Sequence, residues 1–434
     1  MGPGRRWRVN AFRFLHTADL HLGTPFSGLA KQLPPEWLRR VQTASYKVFD
    51  RIVDIALEER VDFVTVAGDL FDSTSVPMAV QFELARGFER LRDADIRVLV
   101  SHGNHDPLGR LRPLAWPDNV TVFATAPPVP TPDYRVPSTV FTIRRTRVQV
   151  SGFSYGQPEI YQSLADYFER DATVDFALGL YHGAVGQAGD HANYCATRLE
   201  NLLRRNFDFW GLGHIHKPSV LRAHSPAVVY PGNPQGRHVK EEGERGCLIV
   251  SVDGAGRVEM KTRVTGTVVW RMLEVDISGI DDLSLAVHMV LRSVREAVAG
   301  TGAAYVARVI VKGVTALHRD LGAQDEFEST LEQELMNASL PVLLEGVEIK
   351  TRPPVDIDVL AQSSEFIGEF LRSVRSCRGD VQAARRFLKP LLGEVFHDGY
   401  DLSFDRLSDA EIDELLEAAQ NLVLQHVGEG GVTA

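Results

Sequence analysis

Five times in the first 216 residues, a short apolar run rich in β-branched residues stops at a polar cluster that offers a carboxylate, an amide or an imidazole. Residues 14–18 lead into Asp19-Leu20-His21, and residues 63–67 into Gly68-Asp69-Leu70-Phe71-Asp72. Residues 96–100 precede Gly103-Asn104-His105-Asp106, residues 176–181 precede His182-Gly183, and residues 207–212 precede Gly213-His214-Ile215-His216. Runs of this kind read as buried strands. Open α/β sheets place their sites beyond the C-terminal strand ends. The pattern therefore constrains the chain to a layered α/β fold whose polar loops meet at one edge. Residues 148–152 and 228–230 add two further strands. Residues 37–59 and 78–93 carry apolar residues at three- and four-residue spacing, as helices packed on a sheet do.

Carboxylates and imidazoles together suit Mn²⁺, Fe²⁺ or Zn²⁺, and this set is large enough for two ions that share a bridging carboxylate. Two ions roughly 3.5–4 Å apart can clamp a phosphate and stabilise its leaving oxygen. In an extended strand end, the two side chains of D-x-H or H-x-H point to the same side, so both can reach one ion pair. Glycines before Asp69, Asn104 and His214 permit tight turns and close approach of the backbone. A lone D-x-H or a histidine at a strand end is more often structural, while G-N-H-D after a buried strand is as often functional as structural. The five in order, each after a strand, argue for a metal site.

The remainder reads as two further units. From about residue 267 a strand (270–277), a helix (283–299), a strand (305–311), another helix and a strand ending near residue 350 suggest a small α/β cap. Thr351-Arg352-Pro353-Pro354 then punctuates the chain. A helix is expected over residues 360–377, with Phe366, Ile367, Phe370, Leu371 and Val374 on one face. A second starts at the capping box Ser408/Glu411 and carries Leu415, Leu416 and Leu422. The expected domains are thus an N-terminal extension (1–12), a catalytic domain (13–266), the cap (267–352) and a helical segment (353–434).

Charge leaves the substrate open. The net charge is −10, which taken alone disfavours nucleic acid. From residue 355 onward, however, 15 acidic and 7 basic residues account for −8 of it. Cys195, Cys247 and Cys377 show no C-x-x-C spacing, which fits a reducing compartment and excludes a disulfide framework or a thiolate zinc site. No run is long enough for a signal peptide behind Arg5, Arg6, Arg8 and Arg13, and none approaches a membrane span. The expected location is the cytoplasm, without a membrane partner.

The ordered set D-x-H, GD, GNHD, H and GHxH over about residues 13–216 resembles the calcineurin-like metallophosphoesterase superfamily. The stretches His16-Thr17-Ala18-Asp19-Leu20-His21-Leu22-Gly23 and Tyr230-Pro231-Gly232-Asn233-Pro234-Gln235-Gly236-Arg237 are similar to SbcD-type DNA repair exonucleases, with Tyr194-Cys195 and Trp210–Lys217 closest to the YhaO-like branch. The resemblance implies a core of two central sheets flanked by helices. It implies that Asp19, His21 and His216 hold one metal and that Asn104, His182 and His214 hold the other. Asp69 would bridge them, and His105 would be catalytic, facing the phosphate. It further implies two divalent ions, Mn²⁺ by preference, DNA as substrate, a homodimer through one of the first two helices, and an SbcC-type or YhaN-like SMC-family ATPase as partner.

Lys217, Arg237 and His238 adjoin the proposed metals and are candidates for DNA phosphate contacts, though loop charge of this kind is as often merely solvated. Asp72, where archaeal-type relatives carry a histidine, and Asp106 read as supporting or turn residues. His102, His191 and His224 lie outside the motifs. The leading reading is an exonuclease that could also cut internally. Its competitors are a metallophosphoesterase for a non-DNA ester and a non-cleaving DNA/ATPase scaffold.

Overall fold

The computed structural model describes residues 9–26, 34–112, 114–186, 193–299, 303–322, 324–338, 340–354, 357–363, 366–378, 380–392 and 408–427. These form two compact units, the first made of Met1–Arg271 with Thr301–Ala307 and Pro341–Glu345. In it, β1 (Phe12–Thr17), β2 (Phe63–Ala67), β3 (Arg97–Ser101) and β4 (Val120–Val122) run parallel in one sheet. β5 (Ser138–Ile143), β6 (Thr146–Ser151), β7 (Phe176–His182), β8 (Phe209–Gly213), β9 (Ser219–Arg222) and β10 (Ala227–Tyr230) make a second sheet in the order β5-β6-β7-β8-β10-β9. The antiparallel hairpin β11 (Gly246–Val252) and β12 (Val258–Val264) returns to pair with β1, which completes the first sheet as β12-β11-β1-β2-β3-β4.

Strand alternation explains the layering. Successive residues of a strand face opposite sides. Phe14, Phe63, Leu99, Leu178, Leu180 and Phe209 point between the two sheets. Their neighbours Leu15, Val64, Val66, Val98 and Val100 pack outward beneath the helices α1 (Pro35–Glu58) and α2 (Met78–Asp93). On the second sheet, Ala177, Tyr181, Trp210 and Leu212 face a third cluster with the short α3 (Leu199–Leu203). The Phe14 ring stacks on Phe63 at 4.8 Å and meets Phe209 edge-on at 5.1 Å, tying both sheets together. Full burial of one such ring contributes about 1.5–3 kcal/mol.

Three long strands, β13 (Val268–Asp276), β14 (Ala304–Val314) and β15 (Val342–Arg352), form a sheet in that order. Their early residues Val268, Trp270, Ala304, Val306 and Leu343 pack within the first unit against Phe26, Val41, Ala44 and Val239. The second unit comprises Met272–Gly300, Arg308–Leu340 and Gly346–Ala434. It holds α4 (Leu283–Val298), capped by the Asp282 carboxylate on the Leu285 amide at 2.8 Å, and α5 (Gln324–Asn337).

The expected helix over 360–377 is instead two, α6 (Ile357–Ala361) and α7 (Phe366–Cys377). The Arg372 guanidinium donates to the carbonyls of Ala361 and Ser363 at 2.5 and 3.0 Å, capturing acceptors that a continuous helix would use internally. Ile367, Leu371 and Val374 are buried as expected, but Phe366 starts the helix 77 % exposed, its ring 6.3 Å from Phe370. α8 (Val381–Leu392) was not expected. Its Ala384 and Leu388 meet Ile412, Leu415 and Leu416 of α9 (Asp409–Val427), which starts at the anticipated Ser408/Glu411 box. The side chain of Leu422 lies outside the described residues, as do Arg5, Arg6, Arg8 and His191. Among the described residues, no helix is long and apolar enough to cross a membrane.

Candidate metal centre

All five motifs fall at C-terminal strand ends. Asp19 and His21 follow β1, Asp69 follows β2, Asn104 and His105 follow β3, His182 closes β7, and His214 and His216 follow β8. Main-chain bonds stitch these loops together, from Asp19 N to Gly68 O at 3.1 Å, His21 N to Asp69 O at 3.0 Å and Gly183 N to Gly213 O at 3.2 Å.

The backbone route differs from the extended one anticipated for D-x-H and H-x-H. Asp19, His21, Asp69 and His214 take φ of 54°, 46°, 49° and 93°. Such left-handed conformations cost non-glycine residues about 1–3 kcal/mol each and concentrate at functional sites. The loops curl, and the side chains converge because of the curl. Two glycines make room for this. A Cβ on Gly68, itself at φ +87°, would overlap the His182 ring, and one on Gly103 would strike the Asp69 carboxylate and lie 2.6 Å from His182 Nε2.

The convergence is close. His21 Nε2 and His216 Nε2 lie 3.0 Å apart. Asp69 Oδ2 sits 3.6 Å from His21 Nε2 and 3.4 Å from His182 Nε2, while its Oδ1 accepts from the His105 amide at 2.9 Å. Asn104 Oδ1 is 3.0 Å from His182 Nε2 and 3.2 Å from His214 Nδ1. Asp19 Oδ1 accepts from His214 N at 2.8 Å. The ring of His105 stands edge-on to His21 at 4.7 Å, with Nδ1 3.3 Å from the Asp72 carbonyl oxygen.

Charge and burial oppose one another here. Burial raises Asp19 to about 6 against the pull of His216 and His182. Burial, helped by Arg237, drives His21 down to about 3 and so keeps its ring neutral. Burial also acts to raise Asp69, but His182, His21 and His105 outweigh it and hold the carboxyl well below the usual range. For His182, burial is outweighed by Asp69 and Asp19, and its value rises to about 9.

These residues fit divalent cations. Asp19 Oδ2 is buried and has no hydrogen-bond partner among the described residues. Donor atoms of Asp19, His21 and His216 lie within 4.8 Å of one another, as do those of Asp19, Asp69 and His182. Two imidazole Nε2 atoms at 3.0 Å, each on a ring whose Nδ1 faces a carboxylate, present lone pairs to a shared point that a cation satisfies.

The neighbouring residues divide clearly. Lys217 and His238 are exposed, and His238 Nε2 is 3.3 Å from Glu241 Oε1. Arg237 is tied to Asp72 at 2.7 Å. Asp106 accepts from the amides of Leu70, Phe71 and Gly103 and from His102 Nδ1, so it braces the loops. His224 is exposed. The sequence reading missed Glu241, whose Oε1 meets His216 Nδ1 at 2.5 Å, and Tyr155, whose hydroxyl donates to His182 O at 3.0 Å. Glu241 stands in a run of charged residues that resembles a solvated surface stretch, yet it is 4 % exposed.

Comparison with known proteins identifies the family. The calcineurin-like phosphoesterase family matches residues 12–218, and the middle domain of metallophosphoesterase YhaO matches residues 270–352. The chain is 31 % identical over 412 residues to the uncharacterized metallophosphoesterase YhaO of Bacillus subtilis (strain 168), covering 94 % of this chain and 96 % of that one. It is 26 % identical to the DNA double-strand break repair protein Mre11 of Aeropyrum pernix, over 65 % of this chain and 68 % of that protein. A subunit of the nuclease SbcCD from Bacillus subtilis (strain 168) is 23 % identical over 53 % of this chain and 63 % of its own length. The chain belongs to the calcineurin-like metallophosphoesterases.

Proposed function

We propose that this metallophosphoesterase is a dinuclear DNA phosphodiesterase of the repair-exonuclease kind, using Mn²⁺. The observation that carries the reading is Asp69 Oδ2, poised between His21 Nε2 and His182 Nε2 at 3.6 and 3.4 Å, where one carboxylate can serve two cations. In this reading Asp19, His21 and His216 hold one cation, Asn104, His182 and His214 hold the other, and Asp69 belongs to both. When bound, the cations supply Lewis acidity toward the phosphate and toward water. The protein orients the donors through the curled loops. His105 meets the leaving oxygen: with Nδ1 held at the Asp72 carbonyl, Nε2 is the ring atom that contacts the phosphate and delivers a proton.

DNA as substrate draws its support from the relatives, whose names include a double-strand break repair protein and a nuclease subunit, and from a second unit of strands and helices after the catalytic one. Lys217 and His238, exposed beside His216, are the phosphate contacts of this reading. We divide the chain at about residues 12, 266 and 352, the last division marked by Pro353-Pro354. The helical segment docks an SMC-type ATPase through the exposed apolar residues Ile357, Val359 and Phe366, and α1 or α2 forms a homodimer in the cytoplasm.

The deciding experiment is cleavage of linear duplex and single-stranded DNA with Mn²⁺, Mg²⁺ or chelator, beside a generic phosphodiester. Metal-dependent DNA cleavage is expected. Hydrolysis of the generic ester without DNA cleavage would assign the site to a different phosphoester.

A further inference from the structure

Behind the two histidines of the His21–His216 half stands a set of side chains that neither ligates nor touches substrate in the proposed mechanism. His216 Nδ1 donates to Glu241 Oε1 at 2.5 Å. The other oxygen of that carboxylate accepts from Asn233 Nδ2 and from the Arg237 main-chain amide, both at 2.7 Å. Glu241 is therefore held at Oε1 by His216 and at Oε2 by the loop that follows β10. Arg245 Nη1 closes the same assembly from beneath, donating to the His216 carbonyl at 2.5 Å and to Asn233 Oδ1 at 3.0 Å. The side chain of Arg237 passes Glu241 with Nε 4.0 Å from Oε1 and donates through Nη1 to Asp72 Oδ1 at 2.7 Å, and that same oxygen is 3.3 Å from His21 Nδ1. One residue thus reaches both carboxylates, by its main chain to the one behind His216 and by its guanidinium to the one behind His21.

We infer that Glu241 and Asp72 are positioning residues for His216 and His21, and that Arg237 couples them. This rests on the two-cation reading above and extends it. A carboxylate can only accept, so Glu241 keeps the proton on His216 Nδ1 and leaves its Nε2 lone pair for the cation, while the negative charge of Asp72, 3.3 Å from His21 Nδ1, favours the same tautomer of His21 electrostatically. The loop 230–241 then has a task other than contacting DNA: it sets the tautomer, angle and donor strength of one half of the site.

The test compares Mn²⁺ titration calorimetry and the visible spectrum of the Co²⁺-loaded full-length protein for wild type, His216→Ala, Glu241→Gln, Asp72→Asn and Arg237→Ala. Wild type should bind two cations and His216→Ala one; failure there would overturn the two-cation reading itself. Given that result, Glu241→Gln and Asp72→Asn should each weaken one cation by roughly 10–100-fold and shift its Co²⁺ bands while leaving the other untouched. Arg237→Ala should weaken that same cation. A residue that merely supports the fold would change the melting temperature and not one of two affinities. Should Glu241→Gln fail to fold, the outer, partly exposed Asp72→Asn carries the test. Unchanged affinity for both cations in the folded variants, or equal loss of both, would overturn the assignment.

Discussion

In the His21–His216 half of the site each imidazole has a carboxylate at its rear nitrogen, Asp72 at 3.3 Å and Glu241 at 2.5 Å. In the His182–His214 half, the rear nitrogen of His182 donates to the Ala67 carbonyl at 2.9 Å, and both rings meet the neutral oxygen of Asn104. The rings of His21 and His216 thus each have a carboxylate as the near neighbour of Nδ1, whereas His182 Nδ1 is bonded to the main chain of β2, with Asp19 Oδ1 farther off at 3.8 Å. A charged support strengthens a donor but depends on a loop for its placement. A main-chain support is weaker and comes with the sheet. The proposed cations should accordingly differ, the carboxylate-backed one being held more tightly and the strand-backed one being less sensitive to loop substitutions.

Five substitutions break or sharpen that contrast. Asp69→Asn should abolish it altogether, because the oxygen between the halves loses its charge; elemental analysis should show loss at both positions and assays no cleavage. His216→Ala and His182→Ala should each remove one cation, and the residual Mn²⁺ affinity should be the weaker one in His216→Ala and the stronger one in His182→Ala. His105→Ala lies outside both halves, so it should retain two cations and DNA affinity while kcat falls by roughly 10²–10⁴-fold. Steady-state kinetics beside calorimetry separate these outcomes. The smallest effect belongs to Tyr155→Phe, which deprives the buried His182 carbonyl of its 3.0 Å donor. Chemical denaturation should register a loss of about 1–3 kcal/mol, with cation stoichiometry unchanged.

The strands that end at the site were legible because alternation and β-branched content leave a local trace. Residues 63–67 were expected as a strand and form one with those bounds. The helix Met78–Asp93 was equally plain from its spacing. Edge strands such as Ser219–Arg222, mostly exposed and short, lack the apolar run that marks a core strand and were not anticipated. The break between α6 and α7 was hidden because it depends on a guanidinium reaching back to two carbonyls, which no periodicity records.

The sequence by itself determined which residues could serve the site, since D-x-H, GD, GNHD, H and GHxH each sit one turn beyond a buried strand and a parallel sheet delivers such ends to one edge. Only the tertiary structure decided how they meet. The left-handed turns at Asp19, His21, Asp69 and His214 depend on contacts between loops far apart in the chain, such as the His21 amide on the Asp69 carbonyl and the His214 amide on the Asp19 carboxylate. The charge behind His216 was likewise decided there. Glu241 reads as one acid among several along the chain, and it becomes a buried partner because the loop after β10 supplies two donors to one of its oxygens while His216 donates to the other.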